Sequence, residues 1–134
     1  ELHAGRLSAN TGLTAGMVTA RDRGAVIYGE CGGYMTLGES VTDAAGVEHR
    51  MLGFLPVSTS FAARRLHLGY RRLQPLAGLP WNGALKGHEF HYATITTEDD
   101  GGRLFGAQDA MREQLPDIGH IRGRVCGSFA HVIC

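Results

Sequence analysis

A chain of 134 residues is one domain of the usual ~100–150 residues and is too short for a second full one. Thirteen basic and thirteen acidic side chains cancel at pH 7, which excludes the basic footprint of a nucleic-acid binder, and no apolar run approaches the ~18 residues of a membrane span. Hydrophobic residues at 43% and charged residues at 19% give a globular balance, and twenty glycines, about twice the usual ~7% share, imply many tight turns.

The opening Glu1-Leu2-His3-Ala4 reads as the middle of a helix without an initiator Met, so a truncated N-terminus is expected. Leu2, Leu7, Leu13, Met17 and Ala20 fall at approximate helical intervals broken at Asn10-Thr11-Gly12, which predicts two short helices, the second stopped by Gly24. Ala25-Val26-Ile27-Tyr28 is apolar without polar alternation, as in a strand buried on both faces of a parallel sheet. A helix beginning after Cys31 ends between Gly38 and Val41. Thr42 to His49 is polar and reads as a loop, and Leu52 to Val57 enters a strand. Leu66 to Leu76 and His88 to Thr97 alternate aromatic, β-branched and polar residues around the turn cluster Gly78-Leu79-Pro80-Trp81-Asn82-Gly83, which predicts an antiparallel pair. Leu104 to Ala107 and Arg124 to Ala130 are further strands, separated by a weak helix over Asp109 to Gln114 and a loop at Pro116.

Gly29-Glu30-Cys31-Gly32-Gly33 carries the chemistry. Its G-x-C-x-G spacing is the cysteine counterpart of the G-x-S-x-G elbow, in which small flanking residues allow a strained strand-to-helix turn with the nucleophile at its tip. Helix N–H groups beyond Cys31 would favour thiolate over thiol and could hold an oxyanion. A free cysteine also serves as a small buried hydrophobe, so a general base must be found elsewhere. Cys31, Cys126 and Cys134 form no C-x-x-C pair, and their odd number argues against a disulfide framework and for a reducing cytoplasm.

Seven histidines compete for the role of base. His3, His49 and His120 lie in polar or terminal surroundings and read as structural or surface residues. His131 follows Gly127-Ser128-Phe129-Ala130 at the end of a strand, from which its imidazole could reach a thiol on a neighbouring strand. His88 and His91 are three apart and point to opposite faces of a strand, and no structural-zinc spacing occurs, so no metal is expected.

Four segments in this order, Glu30-Cys31-Gly32-Gly33-Tyr34-Met35-Thr36-Leu37-Gly38, Leu68-Gly69-Tyr70-Arg71, Gly87-His88-Glu89-Phe90-His91-Tyr92 and Gly127-Ser128-Phe129-Ala130-His131, resemble the cobyrinate or hydrogenobyrinate a,c-diamide synthase family. The resemblance is to the C-terminal glutamine amidotransferase domain and covers essentially the whole chain as a single, N-terminally partial domain over residues 1–134. It implies an α/β, flavodoxin-like class I amidotransferase fold: a mostly parallel sheet with flanking helices and an antiparallel portion, incomplete at the N-terminus.

It further implies that Cys31 attacks the side-chain amide of glutamine, that His131 shuttles the proton, and that the N–H of Gly32 is one oxyanion donor. The second donor would come from a glycine-rich loop N-terminal to this chain. Tyr70, Arg71, Glu89 and His91 are candidates for substrate contact, with Arg71 able to clamp a carboxylate and Glu89 a candidate partner for His131. Class I amidotransferases commonly place a glutamate two residues after the histidine, where this chain has Ile133. ATP and Mg2+ are expected only in an absent N-terminal synthetase domain, because no G-x-x-x-x-G-K-[ST] loop occurs here. The implied partners are glutamine, a corrinoid, that synthetase domain and, as a further candidate, a second copy of the chain. Two other readings stay open on the sequence: an amidotransferase for another tetrapyrrole or a cell-wall lipid carrier, and a non-catalytic interaction module.

Overall fold

The computed structural model describes residues 3–77 and 80–133. The truncated-helix reading of Glu1-Leu2, the Gly78-Leu79 part of the turn cluster and Cys134 lie outside the described residues. Two helices come first, α1 (Ala4–Ala9) and α2 (Thr11–Asp22), and Asn10 separates them by capping the second: its side-chain oxygen accepts from the Leu13 N–H at 2.9 Å. Gly24 then turns the chain at φ 83°, as the sequence indicates.

A strand, β1 (Ile27–Glu30), leads through Cys31 into a short helix, α3 (Gly32–Leu37). Eight further strands follow before the last two: β2 (Ser40–Thr42), β3 (Glu48–Arg50), β4 (Val57–Ser60), β5 (His67–Pro75), β6 (Leu85–His91), β7 (Thr94–Glu98), β8 (Arg103–Gln108) and β9 (Gln114–Arg122). The chain closes with β10 (Val125–Ser128) and β11 (His131–Val132). They form a seven-stranded sheet in the order β1-β10-β9-β8-β5-β6-β11 and a four-stranded sheet in the order β3-β2-β4-β7.

The α/β class stands, but the antiparallel portion is larger than the sequence suggests. Parallel pairing is confined to β1 with β10 and β2 with β4 among the described residues. The reason is local: β8, β9 and β10 follow one another through short connections, and only antiparallel neighbours can be joined that way. The expected antiparallel pair is β5 with β6, in register from His67 opposite His91 to Leu73 opposite Leu85. Ile27 and Tyr28 are half-buried and Val26 is exposed, which corrects the doubly buried strand; β1 is the edge strand of the described sheet, so only one side of it has a strand neighbour.

The helix expected over Asp109 to Gln114 is instead a turn entering β9. The Asp109 carboxylate accepts from the backbone N–H of Met111 and of Glu113, each at 2.9 Å, and Arg112 takes a positive φ of 66°. An aspartate that captures the following amides competes with the helical ladder and wins where no apolar face favours a helix. Pro116 lies within β9 rather than in a loop, and the polar stretch from Thr42 folds as a β2-β3 hairpin, its turn tied by Asp43.

One core cluster gathers Tyr34, Met35 and Leu37 of α3 with Phe54, Leu55, Val57 and Phe129; a second gathers Leu73, Leu104, Phe105, Cys126 and Ala130. Between them lies a buried polar network that the sequence hid. His120, read as a structural or surface residue, proves structural: it is fully buried because β9 is flanked by strands on both sides. The Tyr34 hydroxyl donates to its Nδ1 at 2.5 Å, and its Nε2–H donates to the Asp99 carbonyl at 3.2 Å. This assigns the neutral Nε2–H tautomer, with the Arg103–Glu98 pair, 3.1 Å apart, alongside.

Burial, reinforced by the Arg103 charge, pushes the His120 imidazole down to about 4 from its ordinary 6.5. A depressed histidine stabilises the fold fully above the unfolded value and progressively less as pH falls toward the folded one. Stability is therefore expected to fall between pH 6.5 and pH 4 by on the order of 3 kcal/mol from this group. Urea denaturation at pH 7 and pH 4.5 checks it: His120→Gln, which can still accept from Tyr34 and donate to Asp99 but does not titrate, should show a shallower loss.

Candidate active site

Two glycines on adjacent strands set the elbow. A Cβ at Gly29 would stand 2.7 Å from the Gly33 carbonyl carbon and 2.8 Å from the Tyr34 nitrogen, and a Cβ at Gly127 would stand 2.6 Å from the Gly29 oxygen. Strand and helix backbones thus touch directly. By contrast Gly32 and Gly33 face no atom within 4 Å where a Cβ would point, so the second half of the motif leaves open space rather than relieving a clash.

Cys31 itself takes φ 50° and ψ −108°, a conformation costly for a residue with a Cβ. The turn is held from both sides: the Cys31 N–H donates to the Ser128 carbonyl of β10 at 3.0 Å, and the Met35 N–H donates to the Cys31 carbonyl at 3.0 Å. The thiol is half-buried, and burial raises its pKa from the ordinary thiol value. A hydrogen bond from the Gly32 backbone acts the other way, and the neighbouring Glu30 charge adds to the rise. This corrects the expectation of a thiolate favoured by the helix: α3 is under two turns long, and its N–H groups do not outweigh desolvation. A low thiol pKa in the unliganded protein is therefore not the signature of a nucleophile here.

His131 begins β11, opposite His88 of β6, and is partly exposed. Its Nδ1 faces Oε2 of Glu30 at 3.3 Å, so the residue preceding Cys31 in the chain also faces the imidazole. The other oxygen of Glu30 accepts from the Tyr28 hydroxyl at 3.0 Å and from the Val132 N–H at 3.2 Å. Glu30 was missed on the sequence, although it stands inside the quoted motif; apart from Tyr28, its partners His131 and Val132 lie at the opposite end of the chain.

Glu89 does not reach His131. It accepts from Nε of Arg71 at 2.6 Å and lies 3.3 Å from Nε2 of His91, and these two partners hold its carboxyl below the ordinary glutamate value against the opposing effect of burial. The Arg71 clamp thus closes on a carboxylate of the chain itself. His91 is buried, with Nδ1 near the Ala93 carbonyl at 3.0 Å and its ring stacked 3.8 Å from Phe129. Arg71, Glu89 and His91 share a cavity of about 420 Å³ with Tyr34 and Phe129, the residues that flank the elbow and the histidine. Tyr70 lies outside it, 63% exposed and tilted against His88. Cys126 lies in the core, 1% exposed, and His49 pairs with Asp43 at 2.8 Å.

No group of three or more His, Cys, Asp or Glu is arranged for a metal ion among the described residues, and no described helix is long and apolar enough to cross a membrane.

The chain, with its elbow cysteine, the histidine that opens β11 and an α/β fold, matches one family along residues 1–134: the CobB/CobQ-like glutamine amidotransferase domain. The chain belongs to that family. It is 56% identical over 133 residues to hydrogenobyrinate a,c-diamide synthase of Brucella abortus, 53% to that of a Sinorhizobium species and 48% to that of Rhodobacter capsulatus. These alignments take in 99% of the chain but only 30–31% of each relative, so the chain spans about a third of their length. A solved glutamine amidotransferase superposes with a TM-score of 0.58 at 18% identity, over 95% of this chain and 63% of that one, and shares the fold.

Proposed function

We propose that this domain hydrolyses glutamine, with Cys31 as nucleophile and His131 as proton carrier, and that the ammonia amidates the a and c acetate side chains of hydrogenobyrinate in cobalamin biosynthesis. The observation that carries the reaction is the elbow: Cys31 at positive φ, with the Gly32 backbone bonded to its sulfur and open space over Gly32 and Gly33. The substrate rests on relatives named hydrogenobyrinate a,c-diamide synthase at 47–56% identity.

Because burial keeps the resting sulfur protonated, deprotonation accompanies attack rather than preceding it. His131 takes the thiol proton as sulfur adds to the glutamine amide carbon, and the Gly32 N–H donates to the amide oxygen as charge builds on it. The imidazolium then protonates the amide nitrogen, the C–N bond breaks, ammonia leaves and a γ-glutamyl thioester is left. Water adds to the thioester carbon as His131 takes its proton; the C–S bond breaks, glutamate departs and the proton returns to sulfur. The cavity of Arg71, Glu89 and His91 is lined by neither Cys31 nor His131, and its ion pair shapes the wall rather than offering a free cation.

ATP and Mg2+ would activate the corrinoid carboxylates, and both are assigned to the two thirds of the relatives that this chain does not span. Nothing in these residues fits a nucleotide phosphate loop. The synthetase domain and the corrinoid are the corresponding partners, a second copy of the chain a further one, and the cytoplasm the compartment.

The full-length protein given glutamine labelled with 15N in the side-chain amide should yield a product carrying two 15N amides, read by mass spectrometry. Label absent from a diamide product would sink the ammonia-donor reading. Turnover with another tetrapyrrole or a lipid-carrier substrate, and none with hydrogenobyrinate, would move the assignment to a related amidotransferase.

A further inference from the structure

We infer that Glu30 is the carboxylate that positions His131, replacing the glutamate that Ile133 displaces from the usual place after the histidine. The inference rests on the reading of Cys31 and His131 as the reacting pair.

The geometry is specific to the two oxygens. Oε1 is fixed by two donors, the Tyr28 hydroxyl and the Val132 N–H, and that leaves Oε2 directed at Nδ1 of His131. Tyr28 is in turn held edge-on against Trp81, with ring centroids 4.7 Å apart, so the carboxylate is anchored by a side chain with little freedom of its own. The Val132 N–H belongs to the residue next to His131, so the same carboxylate grips the backbone that carries the imidazole.

An Nδ1–H directed at a carboxylate leaves Nε2 as the basic nitrogen, which is the tautomer a proton carrier needs. The 3.3 Å separation is an ion-pair distance, longer than the ~2.7–2.9 Å of a formed charge-assisted bond. Unliganded sites commonly show such slack. The other nearby candidate, Glu89, is occupied by Arg71 and His91.

Position along the chain gives the arrangement a further property. Glu30 is bonded covalently to Cys31 and faces His131, so one residue fixes the base relative to the nucleophile across β1 and β11. The charge also opposes thiolate formation at Cys31. It therefore suits transfer coupled to attack and not a standing ion pair.

The test uses the full-length enzyme. Glu30→Gln should lower kcat for glutamine hydrolysis roughly 10²-fold, the range seen when a supporting carboxylate is neutralised. KM for glutamine should stay within about 3-fold, synthesis from added ammonia should be unchanged, and the glutamine analogue 6-diazo-5-oxonorleucine should still alkylate Cys31 stoichiometrically. Tyr28→Phe keeps the ring on Trp81 and removes one anchor, so it should lower kcat about 3- to 10-fold with the same KM. It serves as a second probe should Glu30→Gln fail to accumulate as folded protein.

A Glu30→Gln enzyme with kcat within 2-fold of the parent overturns the assignment, and so does a loss shared equally by the ammonia-driven reaction, which marks a scaffold role. If Cys31→Ala keeps glutamine-dependent activity, the reading beneath the inference fails instead. If Cys31→Ala is inactive with glutamine and Glu30→Gln is normal, only the positioning role falls.

Discussion

Replacing Cys31 with alanine in the full-length protein is expected to lower glutamine-dependent amidation by at least about 10³-fold while leaving synthesis from added ammonia at its original rate. The separation follows from the two-stage reaction: the thiol is needed to release ammonia and not to use it. Parallel assays with glutamine and with ammonium chloride check it, and equal rates from glutamine before and after the substitution would remove Cys31 from the mechanism. Cys126→Ala is the matched control. That thiol is 1% exposed among Leu73, Leu104 and Ala130, and burial pushes its pKa up to about 11, so it has neither access nor reactivity. Its loss should cost stability and leave the glutamine-to-ammonia ratio unchanged.

His131→Asn should lower glutamine hydrolysis by roughly 10²- to 10⁴-fold, again with ammonia-driven synthesis preserved. The large effect is tied to the raised thiol pKa at Cys31. A site that already held a thiolate could add sulfur to the amide without a base and would lose mainly the later proton delivery. Burial raises the thiol's pKa, so the proposed mechanism has the histidine both take the first proton and return it to the departing nitrogen. Single-turnover measurements separate the steps: the variant should form thioester slowly, so no burst of ammonia should precede the steady rate. A burst of normal size would restrict His131 to thioester hydrolysis.

The elbow was legible because its requirements are local. A strand, a cysteine and small neighbours lie within a few residues, and Gly29 is where the sequence places the sterically required glycine. Gly33 looked equivalent on paper, yet no contact demands it, since the space it leaves faces outward. The β5-β6 pair was legible from alternation, and the family resemblance was carried by four ordered segments. What could not be read were consequences of long-range pairing. His120 is polar in its own segment and buried only because β8 and β10 flank β9. Glu30 shows no partner in its neighbourhood except Tyr28, and meets His131 only after β11 docks on β6. Arg71 has the right chemistry for a substrate carboxylate and spends it on Glu89, its cross-strand neighbour but two. The thiol was misread for a related reason: a helix dipole is visible in sequence, whereas desolvation depends on what closes over the sulfur.

The Gly29–Gly127 contact has a thermodynamic corollary for the thiol it supports. Peptide atoms meet peptide atoms there, with only the buried Leu37 and Tyr34 side chains beside them, so the seat of Cys31 rests on backbone contact. The height of sulfur above the sheet is then a constant of the fold, set during folding and unaffected by what binds. On the proposed function, glutamine would spend little of its binding free energy on ordering the elbow and more on orienting the amide.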